Sequence, residues 1–312
     1  MKPITRTGMI LLFGALTLVS CSGGQSGVSS EKSFQTFAKP EEAVIALGAA
    51  AEKNNTEALQ QLFGPGTGDL LKSGDDVADK AALEAFNKRF KTRHQLVAGG
   101  SDSMALQVGE DDWPFPIPLV REDGRWYFDG AAGAEAVVRR RIGANELHTI
   151  DVMHGYVSAQ KEYAAKGHDG APAGAFAQRL RSDPGKHNGL YWEATPGERQ
   201  SPAGPFLAAA TAEGYGVTSG APYHGYLYRL LLSQGSNAVG GARDYIVNGM
   251  QKGGFALIAY PADYSASGIM TFIVNQNGVV WQRDLGENTA AEAAAMEQFN
   301  PDSKWTPIPP ES

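Results

Sequence analysis

The amino-acid sequence predicts an α+β protein of two domains, each with helices packed on a curved antiparallel sheet. Apolar residues recur at helical spacing near the start of both halves, and an Asp-Gly pair joins two apolar stretches within residues 119–128. Four further apolar stretches near the end of the chain predict a C-terminal β-meander. The 312 residues suit about two domains, and 42% of them are hydrophobic, which is enough to form cores.

The start of the sequence has the three parts of a secretory signal. Lys2 and Arg6 are positive, residues 9–18 form an apolar run too short for a transmembrane helix, and small residues follow. The stretch LVSC at residues 18–21 resembles the lipobox of bacterial lipoproteins. That resemblance implies that residues 1–20 are a signal peptide, removed by cleavage, and that Cys21 carries lipid.

Residues 21–33 follow the predicted cleavage point and are rich in Gly and Ser, which predicts a flexible tether. Ser22 stands directly after the lipid-bearing cysteine, and by resemblance to the Gram-negative sorting pattern it favours the outer membrane. We therefore expect a protein of the bacterial cell envelope, attached to the outer membrane through its lipid and facing the periplasm.

Composition argues against several classes of function. The formal net charge of −7 opposes nucleic acid as a partner. Cys21 is the single cysteine, so a lipidated chain would have no disulfide, no thiol redox chemistry and no thiolate metal site. We expect no cofactor.

Residues 34–130 are predicted to form the first domain. Pro40 with two acidic neighbours is typical of a helix start, and residues 64–66 (GPG) end a second helix. Another helix around residues 80–90 precedes short strands, a proline-rich edge strand or extended crossing strand at 111–118, and the Asp-Gly hairpin. This order of helices followed by a curved sheet resembles the cystatin-like or nuclear-transport-factor-like cone.

Residues 131–144 are predicted to be a linker helix, and they include three consecutive arginines at 139–141. Three adjacent cations suggest a phosphate or other anion as ligand. On a helix, however, they spread over about 200° of arc, so at most two share a face. The sequence favours a solvated or salt-bridged helix over an anion site.

Residues 145–312 are predicted to form the second domain. A helix over 145–163 is followed much later by apolar strands near 225–231, 253–260, 268–275 and 278–283, with a tight turn at Gln276-Asn277-Gly278. The helix and the meander resemble the head of type IV pilins. The apolar upper half of the pilin helix is absent, so pilus assembly by helix packing is not expected.

Four segments together resemble one family of exported bacterial proteins. They are WPFPIPLVREDGRWYFD, RRRIGANEL, GGFALIAYPADY and GIMTFIVNQNGVVWQRDLG. The family is domain of unknown function 2950, and the resemblance covers nearly all of the chain after the signal peptide. It implies no activity, substrate or catalytic residue.

The histidines are the candidates for chemistry. His148, Asp151 and His154 share a helix, but the two imidazoles are rotated about 120° apart, which strains a common metal site. A second group, which would combine His168, His187 and His224 with Asp183, could hold zinc, but exposed loop histidines are the favoured interpretation. No motif positions a nucleophile, so we predict neither a metal site nor a catalytic residue.

The segment 167–223 is predicted to be a long irregular loop, rich in Gly and Pro and carrying several aromatic residues. Long irregular segments inside compact domains are often functional. We therefore predict that Tyr191, Trp192, Tyr215 and Tyr223 contribute to a binding surface for a protein or polysaccharide. The alternative is that Tyr191 and Trp192 only fix the loop to the sheet.

Three functions remain open on sequence grounds. The favoured one is a non-enzymatic envelope lipoprotein that binds a partner. The second is an accessory factor of a secretion or pilus-like system, and the third is a periplasmic hydrolase whose site is not recognisable from motifs. A His/Asp/Glu group in one deep pocket would favour the hydrolase, and an aromatic patch would favour the binding module.

Overall fold

Two main antiparallel sheets joined by one long helix make up the α+β fold. The computed structural model describes residues 34–169, 171–195, 197–215 and 220–309. The predicted signal peptide, Cys21 and the tether lie outside the described residues. Within the described ranges, no helix combines the length and apolar character needed to cross a membrane.

The first region begins with helices and continues with short strands. Its helices are α1 Pro40–Glu52, α2 Thr56–Phe63, α3 Gly68–Leu71 and α4 Asp76–Thr92. Its strands are β1 His94–Ala98, β2 Ser103–Val108, β3 Trp113–Pro114, β4 Leu119–Glu122 and β5 Arg125–Phe128. The helix starts follow local rules: Pro40 is the first residue of α1, and Asn55 and Asp75 cap α2 and α4 by accepting backbone hydrogen bonds.

The first sheet has the strand order β1-β2-β4-β5, with β3 beside β2. The predicted hairpin is confirmed: Asp123 and Gly124 join β4 to β5 with φ of 52° and 74°. Two successive positive φ angles are typical of the tight turn that suits twisted strands. The proline-rich stretch forms β3, a two-residue strand that pairs only with β2 among the described strands.

The core of the first region lies between this sheet and the helices α1 and α2. Leu47, Leu62, Leu106, Leu119 and Phe128 are its most buried large side chains. The sheet shows alternating burial, as expected when one face packs against helices and the other meets solvent.

Helix α5 spans Gly130–Ala164, so the predicted linker helix and the following predicted helix are one continuous element. Asp129 caps it by accepting a hydrogen bond from the N–H of Ala132. Gly143 and Asn145, which lie on either side of the predicted boundary after residue 144, are both inside the helix, where Asn145 is buried and donates to the carbonyl of Ser267. Tertiary packing therefore outweighs the weak local helix propensity at these positions.

The three consecutive arginines each have a protein partner. Arg139 pairs with Glu135, Arg140 donates to the carbonyl of Pro114, and Arg141 donates to the carbonyl of Leu70. One arginine is thus in a salt bridge and the other two donate to backbone carbonyls, which agrees with the solvated or salt-bridged helix rather than with an anion site.

The second region is built around the predicted β-meander. Its elements are α6 Gly204–Ala212, β6 Tyr226–Leu231, β7 Ser233–Gln234, β8 Arg243–Asp244, β9 Ile246–Val247, β10 Met250–Gln251, β11 Ala256–Pro261, β12 Met270–Asn275, β13 Val280–Asp284, a 3-10 turn at Gly286–Asn288, α7 Thr289–Ala295, β14 Gln298–Phe299 and β15 Thr306–Pro307. The second main sheet has the order β15-β13-β12-β11-β6. The short strands β7 to β10 are inserted between the first two meander strands.

The second sheet is covered on both faces. One face packs against α5 through a core that includes Met153, Val157 and Phe272. The opposite face packs against α7 and the C-terminal segment through Ile258, Ile273 and other buried residues. Burial on both faces explains why β11 and β12 read as nearly continuous apolar runs.

The described residues between 34 and 309 form one compact unit that contains the cores of both regions. Helix α5 contributes Val137 and Val138 to the first core and Met153 and Val157 to the second. Independent folding of 34–130 and 145–312 stays a prediction.

Candidate ligand-binding cleft

A cleft of about 1760 Å³ opens on the second region. Its walls come from the first turn of α4, the C-terminal half of α5, helix α6, the irregular stretches on either side of α6, and strand β6. The predicted irregular segment 167–223 therefore does border a cavity. It also contains α6, a helix that was not predicted from the sequence.

The floor of the cleft is the C-terminal half of α5, where small side chains allow close packing. Gly155 lies under the ring of Phe206, and a Cβ atom at Gly155 would be 2.1 Å from that ring. Helix α6 is apolar, yet none of its residues is fully buried, and Phe206 remains 40% exposed. Contact with Gly155 thus positions a helix that still presents apolar surface to the cleft.

All four predicted binding residues line this cleft, and they lie in two pairs. Tyr191 is half-buried, whereas Trp192 is buried and its Nε1 donates to the carbonyl of Arg199 at 3.1 Å. Trp192 also belongs to the core beneath the sheet. It therefore fixes the segment, as the alternative interpretation proposed, while Tyr191 keeps an accessible side.

The second pair is Tyr215 and Tyr223, whose rings meet edge to face at 4.8 Å. The hydroxyl of Tyr215 donates to a carboxylate oxygen of Asp75 at 2.9 Å. Burial, and then this bond, raise the pKa of Tyr215 far above its usual value. Tyr215 is thus held as a neutral donor, and Tyr223 is the more accessible member of the pair.

Asp75 joins the two regions at the edge of the cleft. Its side chain is 3% exposed and also accepts hydrogen bonds from the N–H of Ala78, at the start of α4, and from the N–H of Gly225, just before β6. One buried carboxylate therefore binds donors from two regions that are about 150 residues apart in sequence.

The histidines considered as an alternative zinc site do not converge. His168 and His187 approach Trp192 at ring distances of 5.5 and 4.4 Å. His224 instead stacks on His148 at 4.3 Å, and its Nε2 lies 3.0 Å from Glu213. Over the described parts of the chain, no group of three or more His, Cys, Asp or Glu side chains is arranged to hold a metal ion.

The two histidines that lie near polar partners differ in environment. Burial lowers the pKa of His224, and His148 lowers it further, against the opposing effect of Glu213. His187 lines the cleft, and its Nε2 lies 3.0 Å from Glu198, which is itself held by the hydroxyl of Thr195. A histidine held by a carboxylate, as His187 is by Glu198, could act as a base toward a hydroxyl nucleophile. Among the described residues, no hydroxyl hydrogen-bonds to the His187 ring.

Strand β6 forms one side of the cleft and is the edge strand of its sheet among the described strands. The N–H and C=O of Tyr226 face away from β11, because both bond to Tyr223. Backbone groups alternate along a strand, so those of Tyr228 and Leu230 face the same way. Within the described part of the chain, no hydrogen bond reaches these outward groups.

Several features of the cleft were not predicted from sequence. The apolar stretch GPFLAAATA, with proline near its start, was a usable signal for α6. Asp75 gave only a local capping signal before α4, because its other partners come from distant sequence. The edge of β6 is open because the segment before it, residues 220–222, makes no backbone bond to the strand. No local sequence pattern predicts this.

Comparison with known proteins gives one family and no relative of known structure. No curated protein and no solved structure matches the chain significantly. The resemblances to a cystatin-like cone and to a pilin head therefore stay predictions. The family described as protein of unknown function (DUF2950) matches residues 34–308, as its sequence segments predicted. This chain belongs to the DUF2950 family.

Proposed function

We propose that this protein is a lipid-anchored component of the bacterial envelope that binds a partner in the aromatic cleft without catalysing a reaction. The observation that carries the proposal is that Tyr191, Trp192, Tyr215 and Tyr223 all line one cleft. Its volume of about 1760 Å³ exceeds the roughly 300–1,000 Å³ of ordinary small-molecule pockets. The partner we expect is therefore a segment of an envelope protein or polysaccharide.

The accessible tyrosines are the best probes of this proposal. Exposed aromatic rings contribute strongly to binding, whereas Trp192 and Tyr215 also support the fold. We expect Tyr191→Ala and Tyr223→Ala each to reduce partner binding at least tenfold, which corresponds to about 1.4 kcal/mol. Affinity purification of the anchored protein, with quantitative mass spectrometry of what copurifies, measures the loss.

The matched control is Tyr264→Ala, because Tyr264 lies outside the cleft and bonds to Asp284. This variant should retain the partner. Equal recovery of the partner by all three variants would show that the cleft is not the binding surface.

The anchor belongs to the same proposal and rests on the LVSC stretch at residues 18–21. Cys21→Ser should abolish incorporation of a palmitate analogue in growing cells, because the thiol is the predicted acceptor. Ser20→Ala is a suitable control, since a small residue is retained before the cysteine. Normal labelling of Cys21→Ser would remove the lipoprotein assignment.

A further inference from the structure

We propose that the cleft receives a short extended polypeptide segment, which adds as an antiparallel strand to the open edge of β6. The inference rests on the proposed function, since it requires that the cleft binds a ligand. It specifies the chemistry of that ligand: a peptide backbone, recognised through its own N–H and C=O groups.

The hydrogen-bonding groups of the edge define what can bind there. Tyr228 and Leu230 together direct two N–H donors and two C=O acceptors away from β11. Leu227, Tyr228, Arg229 and Leu230 all line the cleft, although neighbouring residues of a strand point to opposite faces. The cleft therefore lies along the edge of β6 rather than over one face of the sheet.

The segment before β6 pairs with the open edge at one position only. Tyr223 and Tyr226 exchange two backbone hydrogen bonds across a turn in which His224 and Gly225 have φ of 47° and 73°. Pro222 precedes Tyr223 and lacks an N–H, and no backbone bond joins residues 220–222 to β6. A hairpin thus starts beside β6 and leaves the strand after a single pair.

The other end of the open edge is closed as well. The N–H of Tyr245 donates to the carbonyl of Leu232 at 2.9 Å, on the same side of the strand. The edge between Tyr226 and Leu232 spans six residue steps, or roughly 20 Å. This length suits about three ligand residues paired with β6 and excludes a long added strand.

The walls favour apolar side chains on the ligand. Phe206, Leu207 and Ala210 line the cleft from α6, and Tyr191 and Tyr223 add aromatic surface. In an added strand, alternate side chains would point toward the α5 side, where Gly155 and Phe206 lie. A polysaccharide could stack on the aromatic rings, but it has no alternating N–H and C=O groups to match the edge.

The first test varies the peptide ligand and leaves the protein unchanged. Random decapeptides displayed on phage are selected on the full-length protein in detergent, and the strongest peptide is synthesised with one N-methyl group at each position in turn. Dissociation constants are measured by fluorescence anisotropy. We expect N-methylation at alternate residues of the bound stretch to weaken binding at least tenfold, and at the residues between them less than threefold.

The protein side is tested with a matched pair at one position. Leu230→Pro removes the outward N–H together with the side chain, whereas Leu230→Ala removes the side chain and keeps the N–H. We expect Leu230→Pro to bind the selected peptide at least tenfold more weakly than Leu230→Ala does. Circular dichroism establishes whether the proline variant is folded; if it is not, the N-methyl series decides by itself.

The outcomes separate this inference from the proposed function. An even response along the N-methyl series overturns strand addition, even if the peptide binds in the cleft. Selection of no peptide overturns it too. If chitohexaose then binds and Tyr191→Ala weakens that binding, the cleft is a glycan site and the proposed function stands. The proposed function is tested separately, by recovery of the partner with Tyr191→Ala and Tyr223→Ala.

Discussion

The two main sheets of this protein differ in what covers them. The first sheet has one face on its core, and strand β1 remains largely exposed or half-exposed. The second sheet is enclosed by α5 on one face and by α7 on the other, and five of the six residues of β12 are buried. A sheet that is covered on both faces can offer only its edges to a partner, and in this protein the β6 edge borders the cleft.

The two regions also differ in where their aromatic side chains lie. In the first region, aromatic side chains pack in the core, where Phe63, Phe115 and Phe128 contact one another. The second region instead places several tyrosines at the cleft, where their rings are only partly covered. The cleft is thus a property of the second region, and the first contributes to it mainly through Asp75 and the adjoining turn of α4.

The largest effect should follow from changing Asp75, which tests whether the two regions are one energetic unit. Asp75→Ala leaves the buried donors of Ala78, Tyr215 and Gly225 without their acceptor. We expect a loss of about 3 kcal/mol in the free energy of unfolding, and a melt that separates into two transitions. Urea unfolding followed by circular dichroism, together with calorimetry, measures both.

Two controls sharpen the Asp75 experiment. Asp76→Ala removes an exposed neighbour in the same helical turn and should cost no more than about 0.5 kcal/mol. Tyr215→Phe removes one of the three bonds to Asp75, together with the acceptor of the His224 N–H, and should cost about 1–2 kcal/mol. A single cooperative transition in Asp75→Ala would mean that α5 couples the two regions by itself.

An intermediate effect is expected from two glycines of α5, which probe how tightly the helix contacts the first region. A Cβ atom at Gly133 would lie 2.7 Å from Cα of Ile117, whereas nothing lies within 4 Å of a Cβ at Gly143. Gly133→Ala should therefore destabilise the protein by about 1–2 kcal/mol through overpacking. Gly143→Ala should stabilise it by up to about 1 kcal/mol, because alanine favours the helix.

Chemical denaturation measures the free energy of unfolding of both variants. The two values can be compared directly, because both variants carry a Gly→Ala substitution in the same helix. If Gly133→Ala is as stable as Gly143→Ala, the contact between α5 and Ile117 is adjustable and the first core is looser than its burial indicates.

The smallest effect concerns pH and should be confined to the second region. His224 has a lowered pKa in the folded protein, so the folded state binds its proton less readily than the unfolded state does. Stability from this group is complete above the unfolded pKa, near 6.5, and is lost as the pH falls from there toward the folded pKa. The groups that face it are His148, Glu213 and Asp75.

Melting temperatures measured between pH 8 and pH 5 test this expectation. His224→Gln should flatten the acid side of the profile, and His148→Gln should flatten it less, because it removes only the neighbouring charge. His94→Gln, which removes an imidazole from the first region, serves as the control. A profile that responds equally to all three substitutions would show that acid acts on the whole molecule.

Local patterns predicted much of this fold and only part of the cleft. The turn at Asp123-Gly124 and the turn after Asn275 were predictable, because each needs residues that tolerate a particular backbone conformation. The four aromatic residues were identified from composition. Their grouping around β6 was not, since it depends on the fold of a segment with little periodicity.

The remaining differences have a common physical cause. Helix α5 continues through Gly143 and Asn145 because both cores hold it, which a local propensity cannot show. The partners of Asp75 and the departure of the chain after Tyr223 are contacts between distant residues. Helical and strand periodicities describe residues close in sequence, so they cannot predict such contacts.

Helix α5 also sets a limit on how this family can change in length. At 1.5 Å per residue its 35 residues extend about 52 Å, with one core attached to each half. One residue inserted between Val138 and Met153 would turn one half of the molecule by about 100° relative to the other and move it by about 1.5 Å. Insertions of seven residues, close to two full turns, nearly restore the original orientation. A seven-residue insertion would still move the two halves about 10 Å apart and break the bonds of Asp75 to Tyr215 and Gly225. Members of the family should therefore keep this stretch at constant length, while their surface loops vary freely.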